Sequence, residues 1–502
     1  MDPIPSSAWP WRAALLVLAF MALAAWLAGF AYHCVSKKAF EDYAAELAAK
    51  GESLDVADLR PDPAAKPEDN VAAAPVFAEY LARQRANPDS DDPVWGTLDQ
   101  KAIPGFSVDH MPSETTAVRC LRSEPLTHGF DLPDELAAAK AILDYTESRS
   151  DLLKAIREAL ARPQADFEIA YEMDKPVFSA GLSGFIPVAR LLHLEGRAAL
   201  LTGRTGLAGE DVLALLRFSR HLGSQLSLLH QLVATTIQDM GISLIREGLA
   251  AEAWSDMDLL SFAGELEVAW LEASFMRALR MERAMGLAMY RKLAEGQKLW
   301  LNAHLEHRHR ILFLFPDLRK GWCYDNMEFY SRTIQERMLE DGKGGRPTGM
   351  PIHPPSLVPP SASSGSGLIG RLEEYLEDYR HSLAEASFPA FGGLHSRALR
   401  AKVLHDHARI AVALALHRRE HGTYPATLDA ITLPGGQAPP LDPFNGQSFV
   451  YRPLDGADYL LYSVGPDGLD DGGRILHRIE KGDWVWRLRL PEDFDLDAYR
   501  GR

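Results

Sequence analysis

Asp467, Asp470 and Asp471 place three carboxylates within five residues of a glycine-rich stretch, Gly465-Pro-Asp-Gly-Leu-Asp-Asp-Gly-Gly473. Water or a hard divalent cation must screen that crowding, and oxygen donors on a flexible turn suit calcium. Aspartate and glycine also make ordinary turns, so composition alone leaves a calcium loop and a plain turn both open. The densest ionisable cluster elsewhere is His304-Leu-Glu306-His307-Arg308-His309-Arg310, in which His304 and His307 share a helix face at i, i+3. An envelope metal-dependent hydrolase using His304, His307 and Glu306 is the enzymatic alternative. The run matches neither HExxH nor its inverse, however, and reads as a solvated basic helix face.

Other candidates carry less. His405-Asp406-His407 points in different directions from a helix, which makes joint ligation awkward and reads as surface polar residues. Ser183 in Gly181-Leu-Ser-Gly184 lacks the second spacer of a nucleophile elbow and reads as a loop. Cys120 and Cys323 have no CxxC neighbour and read as structural thiols. Gly365-Ser-Gly-Leu-Ile-Gly370 matches GxGxxG, yet PPSASS precedes it where a strand would have to be, so a linker is expected there rather than a dinucleotide site. No catalytic residue is assigned.

The chain that must position these groups has 502 residues, more than one hydrophobic core usually supports. Its formal charge of −16 argues against a nucleic-acid footprint and suits cations or basic partners better. Its three cysteines cannot build a disulfide framework. From Ala13 to Val35 it carries no formal charge, and a helix over that stretch is about 35 Å long, enough to cross a bilayer. Trp9 and Trp11 stand at one end, with Tyr32, Lys37 and Lys38 at the other, where aromatic belts and cationic flanks belong. A cleaved signal peptide has a shorter apolar region, so an uncleaved, single-pass anchor in the inner (cytoplasmic) membrane is expected, with the body facing periplasm or exterior. Arg12 against Lys37 and Lys38 does not fix the orientation.

A mainly α chain is expected. After a tail at 1–12 and the anchor at 13–35, residues 40–340 read as an all-α, solenoid-like body. Its amphipathic runs cover Pro133–Leu160, Val188–Leu201, Glu210–Leu222, Gln225–Leu249 and Met257–Trp300. Gly203-Arg-Thr-Gly206 turns the second run into the third as a helical hairpin. A Pro/Gly/Ser-rich linker or loop at 341–370 and a connecting helix at 371–394 lead to an α+β unit at 395–502. There a helix from His395 to Glu420, striped by Leu399, Val403, Ile410 and Leu414, ends at Gly422, and strands are expected at Ser448–Arg452, Tyr459–Val464 and Trp484–Leu490.

The order of motifs in this last unit resembles the C-terminal domain of the major pseudopilin of type II secretion systems. The matching stretches are Leu416-His-Arg-Arg-Glu-His-Gly-Thr-Tyr-Pro425, Leu441-Asp-Pro-Phe-Asn-Gly446, Tyr451, and Tyr462-Ser-Val-Gly-Pro-Asp-Gly468. The resemblance implies an α+β fold with a small antiparallel sheet, and a calcium ion held by Asp467, Asp470 and Asp471. It adds Asp483, before the last strand, as a further ligand. It covers only the C-terminal unit, and the anchor lacks the glutamate and processing site with which pseudopilins begin. The expectation for the whole chain is a membrane-tethered scaffold or adaptor that binds protein partners, with calcium as its cofactor. An accessory role in a type II secretion-like machinery is a further alternative. Oligomeric state and partner identity are not legible.

Overall fold

A computed structural model describes residues 9–60, 66–86, 134–167, 169, 182–267, 270–297, 314–339, 380–385, 388–454, 458–474 and 482–489. The expected linker at 341–370 lies outside them. Helix α1 (Trp9–Ala49) runs unbroken for 41 residues. From Ala13 to Ala28 it is apolar all round and exposed, Leu15, Leu16, Phe20, Leu23 and Leu27 among its exposed side chains. This is the one helix among the described residues long and apolar enough to cross a membrane. Its second half is different. Gly29, Ser36, Phe40, Tyr43 and Leu47 are buried, with Tyr32 and His33 half-buried, a three-and-four spacing that makes one seam rather than a wide face.

The seam lies against α11 (Pro316–Ile334). The backbone at Leu318 abuts Gly29, Gly321 faces Tyr32, Phe40 meets Tyr324, and the Arg332 guanidinium covers the Tyr43 ring at 4.3 Å. These pairs advance together along both helices, so the two run parallel. The Asp325 carboxylate, buried in α11, accepts from the Tyr32 hydroxyl at 3.3 Å and from both arms of Arg380 at 2.6 and 2.7 Å. Beyond the end of α1, the Glu52 carboxylate takes bonds from Arg280 and from the fully buried Arg283. A buried guanidinium is tolerable only when so paired. Helix α1 is therefore fixed to the body at both ends of the seam.

Between α1 and the body proper lie α2 (Val56–Leu59) and α3 (Pro75–Ala86). The expected Pro133–Leu160 helix is two, α4 (Glu135–Glu147) and α5 (Ser150–Leu160). The Asp134 side chain caps α4 by accepting from the Ala137 amide, while the Ser148 hydroxyl bonds the Tyr145 carbonyl and closes it. The hairpin around Gly203 forms as expected, from α6 (Leu182–Leu201) to α7 (Thr205–Gly223), with Gly203 at a φ of 75°. Then follow α8 (Leu228–Ala250), α9 (Asp256–Glu267) and α10 (Leu271–Ala294). The expected Met257–Trp300 run is thus two helices, and Trp270, which caps the second, turns its ring inward against Gly223.

After the short α12 (Ser382–Glu385), α13 (Pro389–His421) packs along α8, and the Gln238 amide donates to the Ala401 carbonyl at 3.1 Å. Gly422 closes α13 at a φ of 81°. Strands β1 (Val450–Pro453), β2 (Tyr459–Ser463) and β3 (Trp484–Trp486) form one antiparallel sheet in that order, with Tyr451 opposite Leu461 and Leu461 opposite Trp486. The third strand is shorter than the alternation to Leu490 implied. One apolar core runs from Phe40 through Phe218 and Ile410 to Leu461 and Trp486, so it continues across residue 395 without a break.

A methyl group on Gly223 would lie 1.9 Å from the Trp270 ring, whereas one on Gly206 meets nothing within 4 Å. Gly223→Ala should therefore lower stability by about 1–3 kcal/mol in urea unfolding, and Gly206→Ala should be neutral or slightly stabilising. Equal effects would contradict the packing described.

Candidate functional site

The acidic loop leaves the sheet at a point fixed by one carboxylate. Asp442, in the Leu441-Asp-Pro-Phe-Asn-Gly446 turn, is fully buried. Its Oδ1 accepts from the Phe444 amide and the Ser463 hydroxyl, each at 3.0 Å, and its Oδ2 accepts from the Val464 amide at 2.9 Å. Burial pushes this carboxyl above its ordinary range, and the two amides and the hydroxyl pull it back. Two motifs far apart in sequence are thereby one structural unit. A third joins them, since the Tyr451 hydroxyl donates to the Pro425 carbonyl at 2.9 Å and Tyr424 sits edge-on to Tyr459. The arginines that precede Gly422 face the helical body, Arg418 on Glu252 and Arg419 on Asp256 and the Trp254 carbonyl.

Beyond Val464 the chain enters the loop through Gly465 at a φ of 70°, where a Cβ would lie 2.1 Å from the Gly482 carbonyl oxygen. Only glycine permits that approach, and it brings the two ends of the loop together. Asp467 accepts from the Leu469 amide at 3.2 Å and from the Gly482 amide at 3.1 Å. Asp470 Oδ1 accepts from the Tyr462 hydroxyl at 2.7 Å and the Gly472 amide at 2.8 Å, which hold this carboxyl below its ordinary range. Asp471 is exposed.

Asp483 differs from the other three. It is only 6% exposed, and its Oδ2 accepts from the Gly473 amide at 2.7 Å. Its Oδ1 is buried and meets no hydrogen-bond partner among the described residues. Burial raises its pKa, the backbone amides of Gly473 and Asp471 pull it back, and the nearby charges of Asp470 and Asp471 raise it again. An unpaired buried carboxylate oxygen beside two more carboxylates is a place for a proton or a hard cation. The donors available are carboxylate, carbonyl and hydroxyl oxygens, a set that suits calcium and not thiophilic metals. Among the described residues no group of three or more His, Cys, Asp or Glu side chains is placed to hold a metal ion. The loop satisfies oxygens of Asp467, Asp470 and Asp483 with its own amides, while Asp471 is exposed.

Other expectations fare differently. His304, Glu306, His307 and His309 lie outside the described residues, as do Cys120 and Gly365–Gly370. Ser183 belongs to the first turn of α6 and not to a loop. Cys323 is buried and its thiol is pushed up to about 12 by that burial, which suits a structural thiol. His405, Asp406 and His407 are not surface residues: all three are buried. The His405 ring donates to the Leu266 carbonyl at 2.8 Å, Asp406 accepts from Lys402 at 2.8 Å, and the His407 ring lies between Phe449 and Trp486. They do point apart, as helical spacing demands, but into three packed interfaces, because α13 is enclosed by α8, α9 and the sheet. His221 and His230 are buried in the same way. Period analysis missed them because an enclosed helix has no polar face against which a polar residue stands out.

Elsewhere, Arg157 sits between Glu195 and the fully buried Asp211, pinning α5, α6 and α7 at the floor of an open cleft of about 640 Å³ whose rim carries Glu147, Lys154 and Arg204. Breaking such a pair by removing one partner is costly, so the triad holds the helices together.

Burial lowers the His407 pKa from 6.5 to about 3, and neither ring nitrogen meets a partner among the described residues. Between those values the unfolded chain binds the proton and the folded one does not, so this contribution to stability is complete above pH 6.5 and is lost as pH falls. His407→Leu should accordingly stabilise the protein, and more at pH 5 than at pH 8, by about 2 kcal/mol in denaturant unfolding. A gain independent of pH would show that His407 is hydrated or paired. No protein-family model, curated protein or solved structure shows detectable similarity to this chain.

Proposed function

We propose that this chain is a membrane-anchored helical scaffold of the cell envelope, with a pseudopilin-like C-terminal unit that calcium stabilises. The observation that carries this reading is the division of α1 into a bare apolar half and a half fixed by its seam to the body. A helix of that design positions a large folded surface at a fixed height above a bilayer, which is what a scaffold for protein partners needs. Successive neighbours α6, α7 and α8 pack pairwise, in keeping with a solenoid-like stack. The body lies on the periplasmic or exterior side of an inner membrane, where calcium is abundant enough to fill loops of modest affinity.

The pseudopilin-like reading draws support from the contacts among its own motif residues, Asp442 on Ser463 and Val464, and Tyr451 on Pro425. Asp483 and Asp470 would hold calcium, with Asp467 and Asp471 completing the charge. Bound calcium would pair the Asp483 oxygen and tie the long excursion between β2 and β3 back to the sheet.

Thermal unfolding of the full chain in detergent should shift upward on adding about 2 mM calcium and return on chelation. Magnesium should do less, because the loop offers a flexible and not an octahedral oxygen set. Asp483→Asn should unfold no earlier than the parent in chelator and gain nothing from calcium. An unchanged midpoint in the parent protein removes the calcium site, while release of the chain from membranes by alkaline carbonate removes the anchor.

A further inference from the structure

His417 and His421 lie four residues apart in the last turn of α13 and so share one face of that helix. Their rings are stacked, with centroids 4.1 Å apart and planes inclined by 16°. His421 is exposed and His417 half-buried, which leaves the pair at the surface. Two histidines at this spacing on one helix face are a recognised way to present two nitrogens to one metal ion.

A backbone contact also sets the tautomer. His421 Nδ1 lies 3.1 Å from the His417 carbonyl oxygen. A carbonyl only accepts, so Nδ1 carries the hydrogen, and the lone pair of the neutral ring is left on Nε2, at the edge of the ring far from the backbone. Metal-ligating histidines are oriented by this same kind of bond, in which the second ring nitrogen donates to a carbonyl. A tetrahedral ion with metal–nitrogen bonds of about 2 Å holds two nitrogens roughly 3.3 Å apart. Rings stacked at 4.1 Å reach that separation when their outer edges incline slightly toward each other. The surrounding charge permits a cation, because the carbonyls of the last turn carry the negative end of the helix dipole. Arg418 and Arg419, which stand between the two histidines in sequence, turn to the body and are neutralised there by Glu252 and Asp256.

We infer that His417 and His421 form a two-histidine clamp for a divalent transition metal of the zinc, nickel and copper class. His421 binds through Nε2, and the facing His417 ring supplies the second nitrogen. Imidazole donors set this place apart from the acidic loop, whose oxygens suit a hard cation. Two protein ligands leave the other positions of the ion to water or to a donor from outside the chain. The clamp depends neither on the anchor nor on calcium.

The test titrates nickel into the chelator-treated full chain in detergent and follows binding by calorimetry; nickel takes imidazole and is not reduced by the exposed Cys34 thiol. Histidines elsewhere in the chain contribute binding of their own, so the readout is the difference between proteins. His417→Ala and His421→Ala should each lose the same single equivalent of nickel relative to the parent. The double variant should lose no more than either alone, because one ring does not hold the ion without the other. Nickel should also raise the thermal midpoint of the parent by more than that of the double variant. Equal nickel stoichiometry in the parent and the double variant overturns the site, and losses that add over the two single variants overturn joint ligation. Any response to calcium should be the same in all four proteins, so failure of the clamp and failure of the acidic loop are read separately.

Discussion

A single helix that carries two different burial patterns sets the geometry of the rest. Lipid accepts a helix that is apolar on every side, whereas packing on one neighbour asks for a narrow stripe, and α1 changes from the first pattern to the second at Gly29. The change is made without a break in the backbone. A small residue at the crossing lets α11 approach closely, and from there the buried positions follow a repeat of about seven residues through to Leu47. Polar contacts secure both ends, Asp325 with Tyr32 and Arg380 near the start and Glu52 with Arg280 and Arg283 past the finish. The consequence is stiffness.

A buried carboxylate plays the corresponding organising part at the other end of the chain. Asp442 satisfies its oxygens with two amides and a hydroxyl, and in doing so determines where β2 ends and the acidic loop begins. Its cost in desolvation is offset because every bond it accepts comes from a group that would itself be unsatisfied in that position. Glycines then close the loop at positions where a Cβ would collide, and one oxygen of Asp483 is left buried without a hydrogen-bond partner among the described residues.

Parts of this were legible from residues alone. The extent of the apolar stretch, the hairpin at Gly203, the stop at Gly422 and the order of helix and strands in the last unit all follow from local rules of length, periodicity and turn chemistry. The break near Ser148 is local, its hydroxyl bonding the Tyr145 carbonyl of the helix it closes, but the periodicity runs on across it; the inward turn of Trp270 was not legible, because it depends on the gap that Gly223 leaves on another helix. His405, Asp406 and His407 misled for a related reason. Their spacing correctly separates them, but only the enclosure of α13 decides that all three separate directions end inside the protein.

Sequence by itself therefore determined composition-driven properties: that the chain is mainly helical, that one stretch suits lipid, and that aspartates and glycines crowd a single turn. Tertiary structure alone decided which of those aspartates is buried and unpaired, that Asp442 joins two distant motifs, and that α1 becomes part of the body at Gly29. The physical reason is that hydrophobic periodicity and turn propensity are properties of neighbours along the chain. Desolvation, close approach and the pairing of charges are properties of neighbours in space, and in this protein they link residues as far apart as Tyr32 and Asp325.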